Sequence, residues 1–135
     1  MKNDRLRYLT ATERQALTAF LRWLHDKYGK NVLQARLFGS KVRGEFDSES
    51  DLDVLVVVAG ENRWLYWREI VDETSDLLLQ YGVAISPLIL DEPRASSLAA
   101  AKASVWQSAM KEGADLWTSV LSGPYAAASS SVTKT

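Results

Sequence analysis

Residues 37–58 read LFGSKVRGEFDSESDLDVLVVV. A Gly39-Ser40 turn is followed, after ten intervening residues, by Asp51 and Asp53, which lead straight into the run Val54-Leu55-Val56-Val57-Val58. A β-branched run of this kind reads as a central strand, buried on both faces. Such a strand normally excludes charge, so two carboxylates at its start need a chemical reason. At positions i and i+2 they lie on the same side of the strand, about 6.5–7 Å apart along the backbone. Like charges held that close repel, and without a cation one of them tends to take up a proton. A hard divalent ion resolves the conflict: Mg²⁺ prefers one or two carboxylates, with water and substrate phosphates completing its octahedron. Two such ions can activate an attacking oxygen and stabilise a leaving one during phosphoryl transfer.

Gly39-Ser40 supplies the other half of such a site. A strand-to-helix turn presents free backbone N–H groups, glycine lets a phosphate approach, and the serine hydroxyl can donate as well. Lys41 and Arg43 add positive charge within a few residues. Taken alone, a Gly-Ser pair is an ordinary turn and an Asp-x-Asp an ordinary solvated strand end. Their conjunction at this spacing, ahead of a strongly apolar strand, is what carries the reading.

Outward from this stretch the chain alternates helices and strands. Thr10 and Glu13 have the spacing of a capping box, and Leu17, Phe20, Leu21 and Leu24 recur at helical intervals up to Gly29, which predicts a helix over 11–28. Residues 32–38 read as a strand with Leu33, Ala35 and Leu37 on one face, and 41–50 as a short helical turn and a loop. A second helix is expected over 62–81, with Trp64, Trp67, Ile70, Val71, Leu77 and Leu78 as its apolar stripe, the two tryptophans as core or interface residues with core favoured. Residues 83–90 read as a third strand, at a sheet edge or with a local defect because Pro87 cannot donate to a ladder. One last helix is predicted from near Pro93 to Gly113, after which Asp115-Leu116-Trp117 docks back on the body. The expectation is an α/β (α+β) fold: a small mixed β-sheet flanked by helices, in one domain over 1–117. The segment 118–135, rich in Ser, Ala and Thr, is expected to be a disordered tail.

Gly39, Ser40, Asp51 and Asp53 match the G-S-x10-D-x-D signature of minimal nucleotidyltransferases, and the chain resembles this small branch of the DNA polymerase β-like superfamily over about 10–117. The resemblance implies the nucleotidyltransferase fold, with ATP bound through Gly39 and Ser40 and with Mg²⁺ held by Asp51 and Asp53 as catalytic and metal-binding residues. Arg43 is the further candidate for nucleotide contact. It also implies transfer of a nucleoside monophosphate with release of pyrophosphate. Among stand-alone members the chain looks like MntA-type antitoxins, which transfer AMP to a tyrosine of a cognate HEPN-type ribonuclease toxin. The alternatives are a non-catalytic antitoxin that blocks the toxin by binding, and transfer to a small molecule; the expectation that no second substrate domain is present weighs against the latter. One departure stands out. Many members carry a third carboxylate on a later strand, whereas here that strand offers only Ser86, with Asp91 just after its end.

Composition narrows the rest. Sixteen basic and seventeen acidic residues give a net charge of −1, so charge alone does not argue for direct binding of nucleic acid. No cysteine is present, which removes thiol catalysis and thiolate metal sites. No run approaches a membrane span and the start has no signal-peptide core, so a cytoplasmic protein is expected. His25, the single histidine, is read as a boundary residue of the first helix.

Overall fold

The computed structural model describes residues 5–45 and 50–118. Thr10 caps the first helix, α1 (Ala11–Tyr28): its hydroxyl accepts from the Glu13 N–H at 3.1 Å, and its own N–H donates to Glu13 Oε1 at 2.8 Å. Ala16, Leu17, Phe20, Leu21 and Leu24 form the buried face that the spacing predicts. A 3₁₀ turn (Gly29–Asn31) leads into β1 (Val32–Phe38). After Gly39 come α2 (Ser40–Arg43), β2 (Leu52–Val58), α3 (Trp64–Tyr81) and β3 (Ile85–Asp91). Then follow α4 (Glu92–Ala100), α5 (Ser104–Lys111) and β4 (Ala114–Asp115).

The strands form one mixed sheet in the order β3-β2-β1-β4. β2 runs antiparallel to β1 and parallel to β3, with α3 making the crossover, while β4 pairs antiparallel with β1. β2 is therefore internal and nearly all buried, and β3, with Pro87, is an edge. Alternation along β2 sends its side chains into two cores. Val54, Val56 and Val58 join Phe20, Leu24, Ile70 and Leu77 under α1 and α3; Leu55 and Val57 join Leu90, Ala95 and Ala109 under α4 and α5.

Several sequence expectations are corrected. Leu33 does not share the face of Ala35 and Leu37, because the β1–β2 register shifts between Val32 and Gln34 and leaves Leu33 exposed. Trp64, Trp67 and Leu78 are exposed rather than core: the face of α3 that meets the sheet is carried by Ile70, Thr74 and Leu77. The last helix is two. Twenty residues of straight helix span about 30 Å, and four strands about 14 Å, so one rod could not lay both ends on the sheet. The chain turns at Ala101–Ala103, with Lys102 at φ +52°, and returns α5 so that Trp106, Ala109 and Met110 cover the same core as Ala95 and Leu98. Gly113 then brings the backbone so close that a Cβ there would collide with the carbonyls of Ala109 and Leu37. That approach sets up β4, a strand the sequence reading did not anticipate, and Trp117 packs into the first core. The proposed tail, apart from Thr118, lies outside the described residues.

Candidate functional site

At one end of the sheet, the last residue of β1 and the second residue of β2 are cross-strand partners: Phe38 faces Asp53. The next residue, Gly39, has φ +84° and ψ −156°, a conformation essentially restricted to glycine. A Cβ on Gly39 would fall on Asp53 Oδ2, so the Gly-Ser turn and the carboxylate are pressed together. Ser40 opens α2, whose turn is closed by the N–H groups of Val42 and Arg43 donating to the Gly39 carbonyl. The structure thus gathers Gly39, Ser40 and Asp53 from positions well separated in the chain.

Asp53 is half-buried, on the sheet face that also carries Leu55 and Val57, whereas Asp51 stands exposed just before the strand. Burial raises the pKa of Asp53, the neighbouring Asp51 carboxylate raises it further, and Arg43 pulls in the opposite direction. Asp51 and Arg43 are therefore both within electrostatic reach of Asp53. The Arg43 guanidinium is tethered at its base, with Nε on Glu45 Oε1 at 2.7 Å and Nη1 3.6 Å from Glu112 Oε1. Glu112 is a participant the sequence reading missed, since nothing local at the end of α5 signals a contact with residue 43.

Lys41 departs from expectation. Instead of adding charge for a phosphate, its ammonium is turned into the fold and buried, 2.8 Å from Glu13 Oε2. Because Glu13 also closes the Thr10 capping box, this ion pair ties α2 to the start of α1 and helps fix the turn that carries Gly39 and Ser40.

The parallel register separates the two candidates for a third polar group. Ser86 is the direct partner of Asp53, on its other side from Phe38. Asp91 pairs with Val58, five residues along, or about 16 Å up the strand. By alternation it also lies on the opposite face from Ser86, and its carboxylate is occupied: Oδ1 accepts the Arg94 N–H at 3.1 Å and Oδ2 the Arg63 N–H at 3.2 Å. Asp91 caps α4 and does not reach the Asp51–Asp53 end. His25 lies on the last turn of α1, its ring 6.1 Å from that of Trp117, and is not part of this group. A groove of about 420 Å³ lined by Arg14, Gln15, Thr18, Arg22 and Tyr81 also excludes the site residues.

Among the described residues no cluster of three His, Cys, Asp or Glu side chains gathers to hold a metal. The Asp51–Asp53 pair nonetheless fits a hard cation. It offers carboxylate oxygens, one of them on a group whose negative charge is penalised by burial and by its neighbour, and Mg²⁺ takes much of its coordination from water and phosphates. No helix among the described residues is long and apolar enough to cross a membrane.

Comparison with known proteins places the chain in a family. The family described as "Polymerase beta, Nucleotidyltransferase" matches residues 23–105, an interval that contains Gly39, Ser40, Asp51, Asp53 and Ser86. Two relatives come from Methanocaldococcus jannaschii. "Putative protein adenylyltransferase MJ0604" is 36% identical over 80 residues, which is 59% of this chain and 75% of that protein. "Putative protein adenylyltransferase MJ0141" is 42% identical over 66 residues, 49% of this chain and 63% of the relative. A solved structure from Sulfolobus solfataricus, titled a "putative nucleotidyltransferase", aligns over 85% of this chain and 84% of its own, with a TM-score of 0.47 and 17% identity. A four-stranded mixed sheet under helices and a family match across most of it lead to one conclusion: the chain belongs to the polymerase β-type nucleotidyltransferase family and is a nucleotidyltransferase.

Proposed function

We propose that this enzyme transfers AMP from ATP to a hydroxyl group of a partner protein, using Mg²⁺ held by Asp51 and Asp53. The observation that carries the reading is the contact of the Gly39 backbone with the Asp53 carboxylate, which supports a phosphate-binding turn working beside a metal-binding carboxylate. Gly39 and Ser40 hold the distal phosphates through backbone N–H groups and the serine hydroxyl, and Arg43 lies beside them. Bound Mg²⁺ neutralises phosphate charge and lowers the cost of pyrophosphate leaving. The acceptor oxygen bonds to the α phosphorus, the bond from that phosphorus to the bridging oxygen breaks, and pyrophosphate departs. The hydroxyl proton passes to water or to a group of the acceptor, since Ser86, the residue paired with Asp53 on β3, carries no carboxylate. Relatives that are themselves named protein adenylyltransferases support a protein as acceptor.

The partner we propose is a HEPN-type ribonuclease toxin, with a tyrosine as acceptor and this chain as its cytoplasmic antitoxin. The domain responsible is 1–117, with 118–135 as a tail outside it. The test is label transfer from α-³²P-ATP to the purified toxin, with wild type and with Asp51→Asn/Asp53→Asn. Transfer by wild type alone supports the assignment, and transfer by the double variant refutes it. The serine beside Asp53 favours one second reading, a non-catalytic antitoxin that neutralises by binding. Neutralisation undiminished in the double variant would decide for that reading.

A further inference from the structure

The outer face of α3 is unusually apolar for a surface that meets solvent. Trp64 is 57% exposed, Leu65 72%, Trp67 42% and Leu79 86%, and Leu78 is also open. The two indoles touch edge to face, with centroids 5.5 Å apart, and the Arg63 guanidinium lies 4.8 Å from the Trp64 ring. This face does not belong to the nucleotide site. α3 packs on the sheet face of Val54, Val56 and Val58, whereas Asp53 lies on the opposite face with Leu55 and Val57. Apolar groups clustered at both ends of one exposed helix side, with Arg68, Asp72 and Asp76 between them, mark an interaction surface.

The order of residues along the face identifies its occupant. Trp64, Trp67, Val71, Ser75 and Leu78 follow one another at intervals of three, four, four and three, a stripe along one side of the helix. That pattern is symmetric about Val71. An antiparallel copy related by a two-fold axis through Val71 places Trp64 against the copy's Leu78, Trp67 against the small Ser75, and Val71 against itself. Beside the seam, Leu65, Arg68, Asp72, Asp76 and Leu79 form a second row. The same two-fold brings Leu65 near the copy's Leu79 and Arg68 between the copy's Asp72 and Asp76. Charge as well as shape is self-complementary: the first half of the face is aromatic and basic, the second aliphatic and acidic.

We propose that the outer face of α3 is a homodimer interface, two copies of this chain packing α3 antiparallel about Val71. A C₂ contact of this kind requires one surface patch to complement itself, and the face meets that requirement in charge and register. α3 of each copy then lies between its own sheet and the partner's helix, leaving both Asp51–Asp53 ends open.

Sedimentation velocity of the full chain from 1 to 100 µM tests the proposal, with Arg68→Asp, Asp76→Arg and the two combined. The expected result is a dimer mass for wild type and a dissociation constant raised about tenfold or more by each single reversal, which sets like charges opposite one another twice per dimer. The combined variant restores most of the loss. These exposed substitutions leave the buried Ile70–Thr74–Leu77 face untouched, and far-ultraviolet circular dichroism confirms the fold. A monomer at 100 µM overturns the proposal, as does a dimer indifferent to either reversal or one the combined variant fails to restore. Binding of the partner toxin through Trp64 and Trp67 by a chain that is monomeric alone also overturns it, because the face then belongs to a different protein.

Discussion

Replacing Asp53 by asparagine should stabilise the protein while abolishing its activity. The carboxylate is half-buried, on the same side of the chain as Asp51, and its pKa is raised by burial first and by Asp51 second. Two unit charges about 7 Å apart repel by about 0.6 kcal/mol at the dielectric of water and about 2.4 kcal/mol at the effective value of roughly 20 that suits partly buried sites. Arg43 offsets part of this, which leaves about 1 kcal/mol in favour of Asp53→Asn at neutral pH. For a domain of this size that is a rise of about 3–5 °C in melting temperature. The sign follows from linkage. An acid whose folded-state pKa is raised binds its proton more tightly in the folded state, so its ionised form opposes folding at all pH values above the raised pKa. As pH falls through that pKa to the ordinary carboxylate range, the penalty disappears and the two melting curves should converge. Scanning fluorimetry in EDTA at neutral and acid pH measures the gap. Adding Mg²⁺ with ATP should reverse it: a ligand at a hundred times its dissociation constant stabilises by about 2.7 kcal/mol, and only wild type keeps the full site. An Asp53→Asn protein no more stable than wild type in EDTA at neutral pH would refute the idea that this carboxylate is held against its own preference.

Gly39→Ala should lose label transfer and about 1–3 kcal/mol of stability, because its backbone angles suit glycine and the new methyl displaces Asp53 Oδ2. Gly60→Ala is the matched control: its φ is +90° but nothing lies within 4 Å of the added carbon, so transfer per folded molecule should persist. Ser86→Asp places a third carboxylate beside Asp53 in register; it should lower the melting temperature in EDTA and shift the Mg²⁺ dependence of transfer to lower concentration, and an unchanged Mg²⁺ titration would count against Ser86 facing the site. Asp91→Ala removes the cap of α4 and should cost about 1–2 kcal/mol by urea titration, with the transfer rate of the folded enzyme unaltered.

Most of the architecture could be read from periodicity because each element has one dominant partner. Leu17, Phe20, Leu21 and Leu24 have a single surface to bury against, and 54–58 can satisfy its apolar run only inside a sheet. The errors arose where two demands competed. Trp64, Trp67 and Leu78 are as apolar as Ile70 and Leu77, but hydrophobicity does not say which of two adjacent stripes meets the sheet. Helix propensity in LAAAKASV is high, yet the narrow sheet forces a turn at Lys102 that only tertiary packing dictates. Leu33 alternates correctly in sequence and is turned out by a bulge that depends on the partner strand. At the site, the sequence singled out Gly39, Ser40, Asp51, Asp53 and Arg43, and counted Lys41 as added positive charge beside them. The fold instead pairs Lys41 inward with Glu13 and leaves Arg43 at the surface between Glu45 and Glu112.

The choice between Ser86 and Asp91 turns on strand direction, which composition does not reveal. In a parallel pair the start of β3 lies beside the start of β2, so the acid at the far end of β3 is carried away from the site however suitable its chemistry. The same geometry explains how an internal strand tolerates a destabilising end. Val54, Leu55, Val56, Val57 and Val58 are each buried, and each contributes about 1.5–3 kcal/mol by leaving water. A penalty of about 1 kcal/mol at Asp53 is small against that sum and falls on the end of the strand where solvent and ligand can enter. An internal strand anchored between two others, with Asp53 flush against a glycine turn, thus holds a half-buried carboxylate in place beside its exposed neighbour Asp51. On an edge strand the same pair would relax apart, because one side would have no ladder to hold it.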